Sequence, residues 1–254
     1  NTAKIFAKHF GNENCSRFNM DNFAVITKTN YLEDTIRTIF KECTQYENGK
    51  GLTIRAGIAL DPGLDFDFAM LTDRARYACD INRGSLISKF SYFNETTLQL
   101  VEKYQYVIDN IDRAIQEKWI KVYYQPIVRA ANGLVCDEEA LSRWNDPVKG
   151  FMVPSDFIPT LENAKLIYKL DLYIVEQAIN KIKMQSQRGY NVSPISINLS
   201  RTDFDACDIV EEIRKRVDEA QISHDMLTIE ITESVVGSDF DFITKQIERF
   251  QSLG

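Results

Sequence analysis

The sequence predicts an α/β protein built from two units that a long helix joins. Strand-like and helix-like segments alternate through residues 1–92, which indicates one mixed unit. From residue 115 to residue 254, strands and helices alternate in the order that is typical of parallel sheets with right-handed crossovers. Residues 93–114 lie between these two patterns and carry the apolar periodicity of a single connecting helix.

The first unit is predicted to contain three helices and several short strands. A helix opens the chain, strand-like alternation around Phe23 and Val25 follows, and an amphipathic helix spans roughly Tyr31 to Tyr46. The run LTIRAGIAL predicts a strand, which the turn Asp61-Pro62-Gly63 closes. A helix near Phe66–Cys79 and a short strand in LISKFSY complete the unit.

The predicted helix over residues 94–118 has an apolar stripe at helical spacing. The stripe consists of Leu98, Val101, Val107, Ile108, Ile111 and Ile115. A helix that packs on its own unit explains this stripe most simply. A connector that transmits rotation between the two units is the alternative.

The second unit is predicted to contain four strands. They lie in the runs KVYYQPIV, VCDEEALSRW, SPISINLS and LTIEITES, with helices at Ser155–Glu162, Leu166–Arg188 and Asp208–Ala220 between the later ones. Because only the short turn Ala131-Asn132-Gly133 separates the first two strands, we expect the first to run antiparallel to the second.

Polar side chains occupy one face of three of these strands, although strands covered by helices are usually apolar on both faces. Period-two alternation aims Glu139, Asn198 and Glu230 at one shared interior, near the carboxyl ends of the strands. Their oxygen atoms are hard ligands that suit Mg²⁺ or Mn²⁺. Arg143 shares a face with Glu139 and can hold a phosphate, which indicates metal-assisted phosphoester chemistry. Salt-bridged structural carboxylates are the alternative.

Composition argues against several other classes of protein. The net charge of −7 and the scattered basic residues disfavour a non-specific DNA binder. His9 and His224 are too far apart in sequence to suggest a zinc site or a histidine-based triad. Five well-separated cysteines predict reduced thiols in a cytoplasmic protein. No apolar run approaches the roughly 18–20 residues that span a bilayer. An anchor of the parent protein through an N-terminal region outside this chain is left open.

Five ordered motifs between residues 115 and 254 closely resemble the EAL domain family. They are Gln125-Pro126-Ile127, Glu139-Ala140-Leu141-Ser142-Arg143-Trp144, Phe157-Ile158-Pro159 with Glu162, Asn198-Leu199-Ser200 and Glu230-Ile231-Thr232-Glu233-Ser234. The resemblance implies a (β/α)8 barrel whose first strand is antiparallel. It also implies a Mg²⁺- or Mn²⁺-dependent phosphodiesterase that hydrolyses cyclic di-GMP to linear pGpG.

The same resemblance implies roles for individual residues. Glu139, Asn198 and Glu230 match the family's metal ligands. Glu233 matches the residue that holds the loop supporting the metal site, and it joins Glu139 and Glu230 in the expected catalytic set. The expected contacts to the substrate are Gln125, Leu141, Arg143 and Pro159.

Residues 1–92 resemble the C-terminal part of a GGDEF domain, the diguanylate cyclase module that commonly precedes an EAL domain. The segment Arg17-Phe18-Asn19-Met20-Asp21-Asn22-Phe23 stands where that family has R-Y-G-G-D-E-F. Asn19 and Met20 replace the two glycines that let the turn approach a nucleotide, and Asn22 replaces the acidic metal ligand. We therefore expect this part to be degenerate and without cyclase activity.

The EAL family carries further metal-site motifs on its fifth and later strands, and this sequence ends at Gly254 before them. We therefore expect the chain to be a trimmed piece with about half of the barrel, inactive alone, of a phosphodiesterase that acts on cyclic di-GMP. Two chains that complete each other by exchange are the alternative. A non-enzymatic cyclic di-GMP receptor or a scaffold is the competing function, and a homodimer through the EAL or GGDEF faces is left open.

Overall fold

The computed structural model describes residues 2–18, 21–45, 52–61, 63, 67–82, 87–231 and 240–254. Their contacts divide the chain into two units, Asn1–Glu102 and Lys103–Gly254. The division falls inside a long helix, within the segment that the sequence predicts as the connection.

Unit 1 alternates short helices and short strands as predicted. Its elements are α1 (Thr2–Phe10), β1 (Cys15–Arg17), β2 (Phe23–Val25), α2 (Leu32–Thr44), β3 (Arg55–Ile58), α3 (Phe68–Asp80) and β4 (Lys89–Tyr92). Strands β1 and β2 form an antiparallel hairpin, and β3 pairs with β4 in parallel. A small core of Ile5, Ile39 and Cys43 lies where α1 packs on α2.

Helix α3 packs closely on β3 because β3 contains a glycine. A Cβ atom on Gly57 would lie 1.8 Å from the carbonyl oxygen of Ala75 and 2.3 Å from the amide nitrogen of Cys79. Both of these atoms belong to the backbone of α3 and cannot move aside independently of the helix. The absence of a side chain at Gly57 therefore sets the distance between strand and helix.

The long helix α4 (Glu95–Gln116) begins with a reciprocal cap. Asn94 accepts a hydrogen bond from the Thr97 amide at 2.9 Å, and the Asn94 amide donates to the Thr97 hydroxyl at 3.3 Å. Toward its C-terminal end, α4 buries Val107, Ile111 and Ala114 in the core of unit 2. This half of the apolar stripe therefore packs on its own unit.

Unit 2 contains one mixed sheet and the helices that cover it. Its remaining elements are β5 (Ile120–Val128), β6 (Val135–Asp146), β7 (Gly150–Met152), α5 (Pro154–Asn163), α6 (Ile167–Gln187), β8 (Ile195–Leu199), α7 (Asp203–Ala206), α8 (Ile209–Ala220), β9 (Leu227–Ile231) and α9 (Phe240–Gln251). The strand order is β5-β6-β8-β9, with the short β7 paired to β6. Within the described ranges this path does not close on itself, so the barrel that the resemblance implies stays a prediction.

The strand directions agree with the prediction. Strand β5 is antiparallel to β6, whereas β6 with β8 and β8 with β9 are parallel. Strand β7 is absent from the sequence prediction because three residues after a turn carry too little periodicity to reveal a strand.

The core of unit 2 lies between this sheet and the helices. Trp144 and Phe157 are fully buried and pack edge to face with ring centroids 5.7 Å apart. Helix α6 ends at Gln187, and Gly189 follows with a φ of 73°, the left-handed conformation that lets the Tyr190 amide bond the Gln185 carbonyl.

Two further findings bear on the composition. None of the five cysteines, all of which lie within the described ranges, forms a disulfide bond. Among the helices of the described ranges, none combines the length and the apolar character that crossing a bilayer requires.

Candidate functional site

The register of the sheet brings three polar side chains onto adjacent strands. Glu139 on β6 pairs with Ser196 on β8, and two residues further along β8, Asn198 pairs with Glu230 on β9. Since alternate residues of a strand share a face, Ser196 and Asn198 point to the same side of the sheet. The sheet therefore aligns Glu139, Asn198 and Glu230 along one line across three strands.

A direct hydrogen bond joins two of these residues. The Asn198 amide nitrogen Nδ2 donates to Glu139 Oε1 at 3.0 Å. Both side chains are half-buried, and so is Glu230. Because Nδ2 is engaged with Glu139, the amide oxygen Oδ1 of Asn198 is the atom that remains to bind a cation.

The neighbouring residue Glu138 points to the opposite, helix-covered side of β6. There it forms an ion pair with Lys181 of α6. The Lys181 ammonium group also lies 4.1 Å from the centre of the Tyr124 ring. Burial and the negative charge of Glu138 raise the pKa of Tyr124 to about 12. Of the two adjacent glutamates, Glu138 is thus the structural one, and Glu139 is left for the polar face.

The Glu139 face of β6 continues with Leu141 and Arg143, both half-buried. Ala140, Ser142 and Trp144 of the same strand are buried on the other side, as the period-two pattern predicts. The Arg143 guanidinium donates through Nη1 to the Ser142 carbonyl at 2.7 Å. This bond uses one of the five N–H groups, so the guanidinium can also bind an anion.

The remaining candidate residues lie on other elements or outside the described ranges. Gln125 on β5 pairs directly with Glu139 on β6 and is exposed. Pro159 is an exposed residue inside α5. Glu233 lies outside the described residues, so its predicted role stays a prediction.

A hydrogen-bond network fixes the turn that follows β8. The Ser200 hydroxyl donates to Glu162 Oε1 of α5 at 2.8 Å and lies 3.2 Å from the Thr202 hydroxyl. The Ser200 amide donates to Asp203 Oδ2 at 2.7 Å. Since Ser200 follows Asn198 by two residues, this network holds the end of β8 in place.

The donor atoms of the Glu139–Asn198–Glu230 line fit a divalent cation. Carboxylate and amide oxygens are the ligands that Mg²⁺ and Mn²⁺ prefer. Within the described ranges, no three His, Cys, Asp or Glu side chains cluster closely enough to hold a metal, and the Glu139 line contributes only two carboxylates plus an amide. This donor set would supply part of a coordination shell and leave positions for water and substrate.

Sequence reasoning missed part of this region. It singled out Glu162 and Ser200 as members of motifs, but not the bonds between them, and it passed over Asp171 and Asp203. A signal for Asp171 exists in the sequence, because it falls on the apolar stripe of α6 with Ile167, Ile174 and Ala178. A carboxylate on such a stripe is buried and therefore needs a partner.

Three comparisons with known proteins bear on this site. The model of the EAL domain family matches residues 108–254. The bifunctional diguanylate cyclase/cyclic di-GMP phosphodiesterase MucR of Pseudomonas aeruginosa is 26% identical over 202 residues, which is 78% of this chain and 29% of that protein. The chain spans about a quarter to a third of the length of the curated relatives it matches first.

Two solved structures resemble the chain. The PaMucR phosphodiesterase in complex with c-di-GMP matches at 26% identity with a TM-score of 0.55, over 59% of this chain and 60% of that one. The Vibrio cholerae LapD S helix-GGDEF-EAL structure, bound to c-di-GMP, matches at 15% identity with a TM-score of 0.61, over 99% of this chain and 61% of that one. The second match concerns the fold alone.

Proposed function

This chain belongs to the EAL domain family, and from that premise we propose that its parent protein is a phosphodiesterase that hydrolyses cyclic di-GMP to linear pGpG with Mg²⁺ or Mn²⁺. Relatives named as cyclic di-GMP phosphodiesterases support the proposal at modest identity. The resemblance in fold to a c-di-GMP complex supports the same ligand.

The observation that carries the proposal is the hydrogen bond from Asn198 to Glu139, together with the pairing of Asn198 with Glu230. It brings three oxygen-bearing side chains from three strands into one line. The carboxylates Glu139 and Glu230 would repel each other without a counter-charge, and a divalent cation supplies that charge.

Each candidate residue then has a task that follows from its place. Glu139, Asn198 and Glu230 hold the cation. When bound, the cation activates a water molecule and polarises the phosphodiester. Arg143, on the Glu139 face, binds a phosphate oxygen, because a guanidinium matches phosphate geometry.

The other proposed roles concern the substrate and the loop after β9. Gln125 contacts the dinucleotide from β5, opposite Glu139. Leu141 and Pro159 contact it through their apolar surfaces. Glu233 supports the loop that follows β9, as its motif implies.

We further propose that unit 1 is a degenerate GGDEF remnant without cyclase activity. The segment that resembles R-Y-G-G-D-E-F begins on β1 and ends on β2, and the Phe18 amide bonds the Asn22 carbonyl at 2.9 Å across the hairpin. Asn22 cannot supply the charge of a carboxylate ligand. The fold match to a GGDEF-EAL structure supports this assignment.

The test is turnover of cyclic di-GMP by the purified parent protein with Mn²⁺, read as formation of pGpG. Glu139→Gln should abolish turnover, because it removes a charged ligand. Glu138→Gln is the matched control, since this side chain lies on the other face of the same strand, and it should retain most of the activity. Binding of cyclic di-GMP without hydrolysis would indicate the receptor instead. Turnover that survives Glu139→Gln would contradict the proposed metal site.

A further inference from the structure

Two buried carboxyl groups meet beneath the turn that follows β8. Asp203 is the first residue of α7 and is 0% exposed, and Asp171 on α6 is 6% exposed. Their carboxyl groups lie within hydrogen-bonding reach of each other. Two ionised carboxylates have no hydrogen to share, so this contact requires a proton on one of them.

The bonds of the pair show where that proton is needed. Asp203 Oδ2 accepts the Ser200 amide at 2.7 Å. Asp203 Oδ1 is buried, and within the described part of the chain no permanent N–H or O–H donor reaches it. A proton on Asp171 fills this position. The buried oxygen is then satisfied, and the Ser200 bond remains intact.

The surrounding charges also favour a bound proton. Glu162 of α5 adds negative charge near both aspartates. Cys207, at the end of α7, has its own pKa raised by burial and by the charge of Asp203. Two charged groups on α8 and at its start, Glu212 and Asp208, also raise the pKa of Cys207, whereas Arg216 lowers it. Burial raises the pKa of Asp203 to about 6 and that of Asp171 well above its ordinary value.

We propose that Asp171 and Asp203 share one proton and act together as positioning residues for the turn after β8. This turn carries Ser200 and directly follows the strand end that contains Asn198. Loss of the shared proton would place two like charges in contact in a buried position. The carboxylates would then separate and release the end of β8. This effect of the pair on the turn after β8 does not depend on whether the protein hydrolyses cyclic di-GMP.

The sign of the pH effect follows from proton binding. The native pair keeps a proton at pH values where an unfolded chain, with aspartate pKa values of about 3.9, has lost it. Stability that the pair contributes is therefore greatest at low pH and declines as pH rises. Each pH unit should increase the unfolding equilibrium constant by about tenfold while one extra proton is bound in the native state.

The main variant is Asp171→Asn, because an asparagine reproduces the donor and the shape of the protonated acid. Its Nδ2 can donate to Asp203 Oδ1, and Asp203 keeps the Ser200 amide. Urea unfolding of the variant and of the unmodified protein between pH 6 and pH 8 should show that the variant loses about one proton of pH dependence. It should also be more stable at pH 8.

Asp203→Asn tests the other half of the pair. Its Oδ1 can accept from the Ser200 amide while its Nδ2 donates to the Asp171 carboxylate. We therefore expect the same loss of pH dependence in urea unfolding. Asp205→Asn is the matched control on α7, because Asp205 is exposed and pairs with Arg201. It should retain the pH dependence of the unmodified protein.

A spectroscopic measurement completes the test. In the unmodified protein, the carboxyl ¹³C signals of Asp171 and Asp203 should titrate together, and the Ser200 amide signal should follow them. In Asp171→Asn the Ser200 titration should disappear. Unchanged pH dependence in both asparagine variants would overturn the proposal, and so would an Asp171→Asn protein that fails to fold.

Discussion

Asn198 donates a hydrogen bond to Glu139 at 3.0 Å across the parallel strands β6 and β8. The register of these strands pairs Glu139 with Ser196, two residues before Asn198, so the contact runs diagonally on one face of the sheet. The amide thus lies between two carboxylates, since Glu230 is the direct neighbour of Asn198 on β9. A neutral side chain between two acids keeps like charges apart when no cation is bound.

Asn198→Asp should therefore destabilise the metal-free protein. The change puts a third carboxylate beside Glu139 and removes the N–H that Glu139 accepts. We expect a loss of about 1–3 kcal/mol in the free energy of unfolding at pH 8 with a chelator present. Mn²⁺ should recover much of this loss, because the added charge makes the site a stronger ligand set. Asn198→Ala is the comparison, and equal Mn²⁺ responses in both variants would contradict a cation at this site.

Asp146→Ala should be one of the most damaging single changes in unit 2. Asp146 accepts hydrogen bonds from the Trp144 ring, the Tyr106 hydroxyl and the backbone amides of Val148 and Lys149, at 2.7 to 3.1 Å. Removing it leaves the buried Trp144 N–H without this acceptor. We expect a loss of about 2–4 kcal/mol in urea unfolding. Asp109→Ala on α4 is the control, because Asp109 is exposed, and it should cost less than about 0.5 kcal/mol.

The ionisation of Asp146 should also determine how the stability of the protein changes at low pH. Burial alone would raise the pKa of Asp146, but the four hydrogen bonds outweigh it, and the pKa is lowered. Its contribution to stability is thus present above the unfolded pKa of about 3.9 and is lost as pH falls through the lower native value. Acid unfolding of Asp146→Asn should begin from a less stable protein and show a shallower pH dependence below pH 4. An unchanged acid transition would mean that folding does not lower the pKa of Asp146.

The sequence could predict the polar line of the site because a strand has only two faces. Alternation put Glu139, Leu141 and Arg143 together, and the structure buries the intervening Ala140, Ser142 and Trp144 under helices. The connection of one strand to the next was equally predictable, because strand–helix–strand order favours parallel neighbours. What periodicity does not contain is the register between strands, which decides that Asn198 reaches Glu139.

Contacts between distant elements were the part that sequence could not supply. The bond from Ser200 to Glu162 spans 38 residues, and the meeting of Asp171 with Asp203 depends on how α6 and α7 pack. Local patterns report which face a residue occupies, and they carry no information on which buried acid lies opposite. For the same reason, alternation places Glu138 and Glu139 on opposite faces of β6, but it does not identify Lys181 as the partner of Glu138.

Gly57→Ala should destabilise unit 1 by an amount at the upper end of the usual range for overpacking. The added methyl group would lie 1.8 Å from the Ala75 carbonyl oxygen, so α3 must move away from β3. We expect a loss of about 3 kcal/mol, seen as faster proteolysis within residues 1–102. Gly63→Ala is the matched control in the same unit. A Cβ there meets no atom within 4 Å, and only its φ of 77° opposes the change, at about 1 kcal/mol.

His224 should titrate above its ordinary pKa. Its two ring nitrogens face acceptors, the Leu253 carbonyl at 2.7 Å and Asp218 Oδ1 at 2.8 Å, so both bonds form only when the ring is protonated. The bond to Leu253 first, and then the bond and charge of Asp218, raise the pKa against the opposing effect of burial. The stability from this residue is complete below the unfolded pKa of about 6.5 and is lost as pH rises through the higher native value.

Ring-proton NMR can measure this directly, since the chain contains only two histidines and His9→Gln assigns the remaining signal. Asp218→Asn should lower the pKa of His224 while leaving the Leu253 bond in place. A His224 that titrates at or below 6.5 in the unmodified protein would contradict the doubly bonded ring. Because His224 and the Asp171–Asp203 pair both weaken the fold as pH rises, Asp171→Asn should remove only part of the total pH dependence. His224→Phe should remove a further part of it.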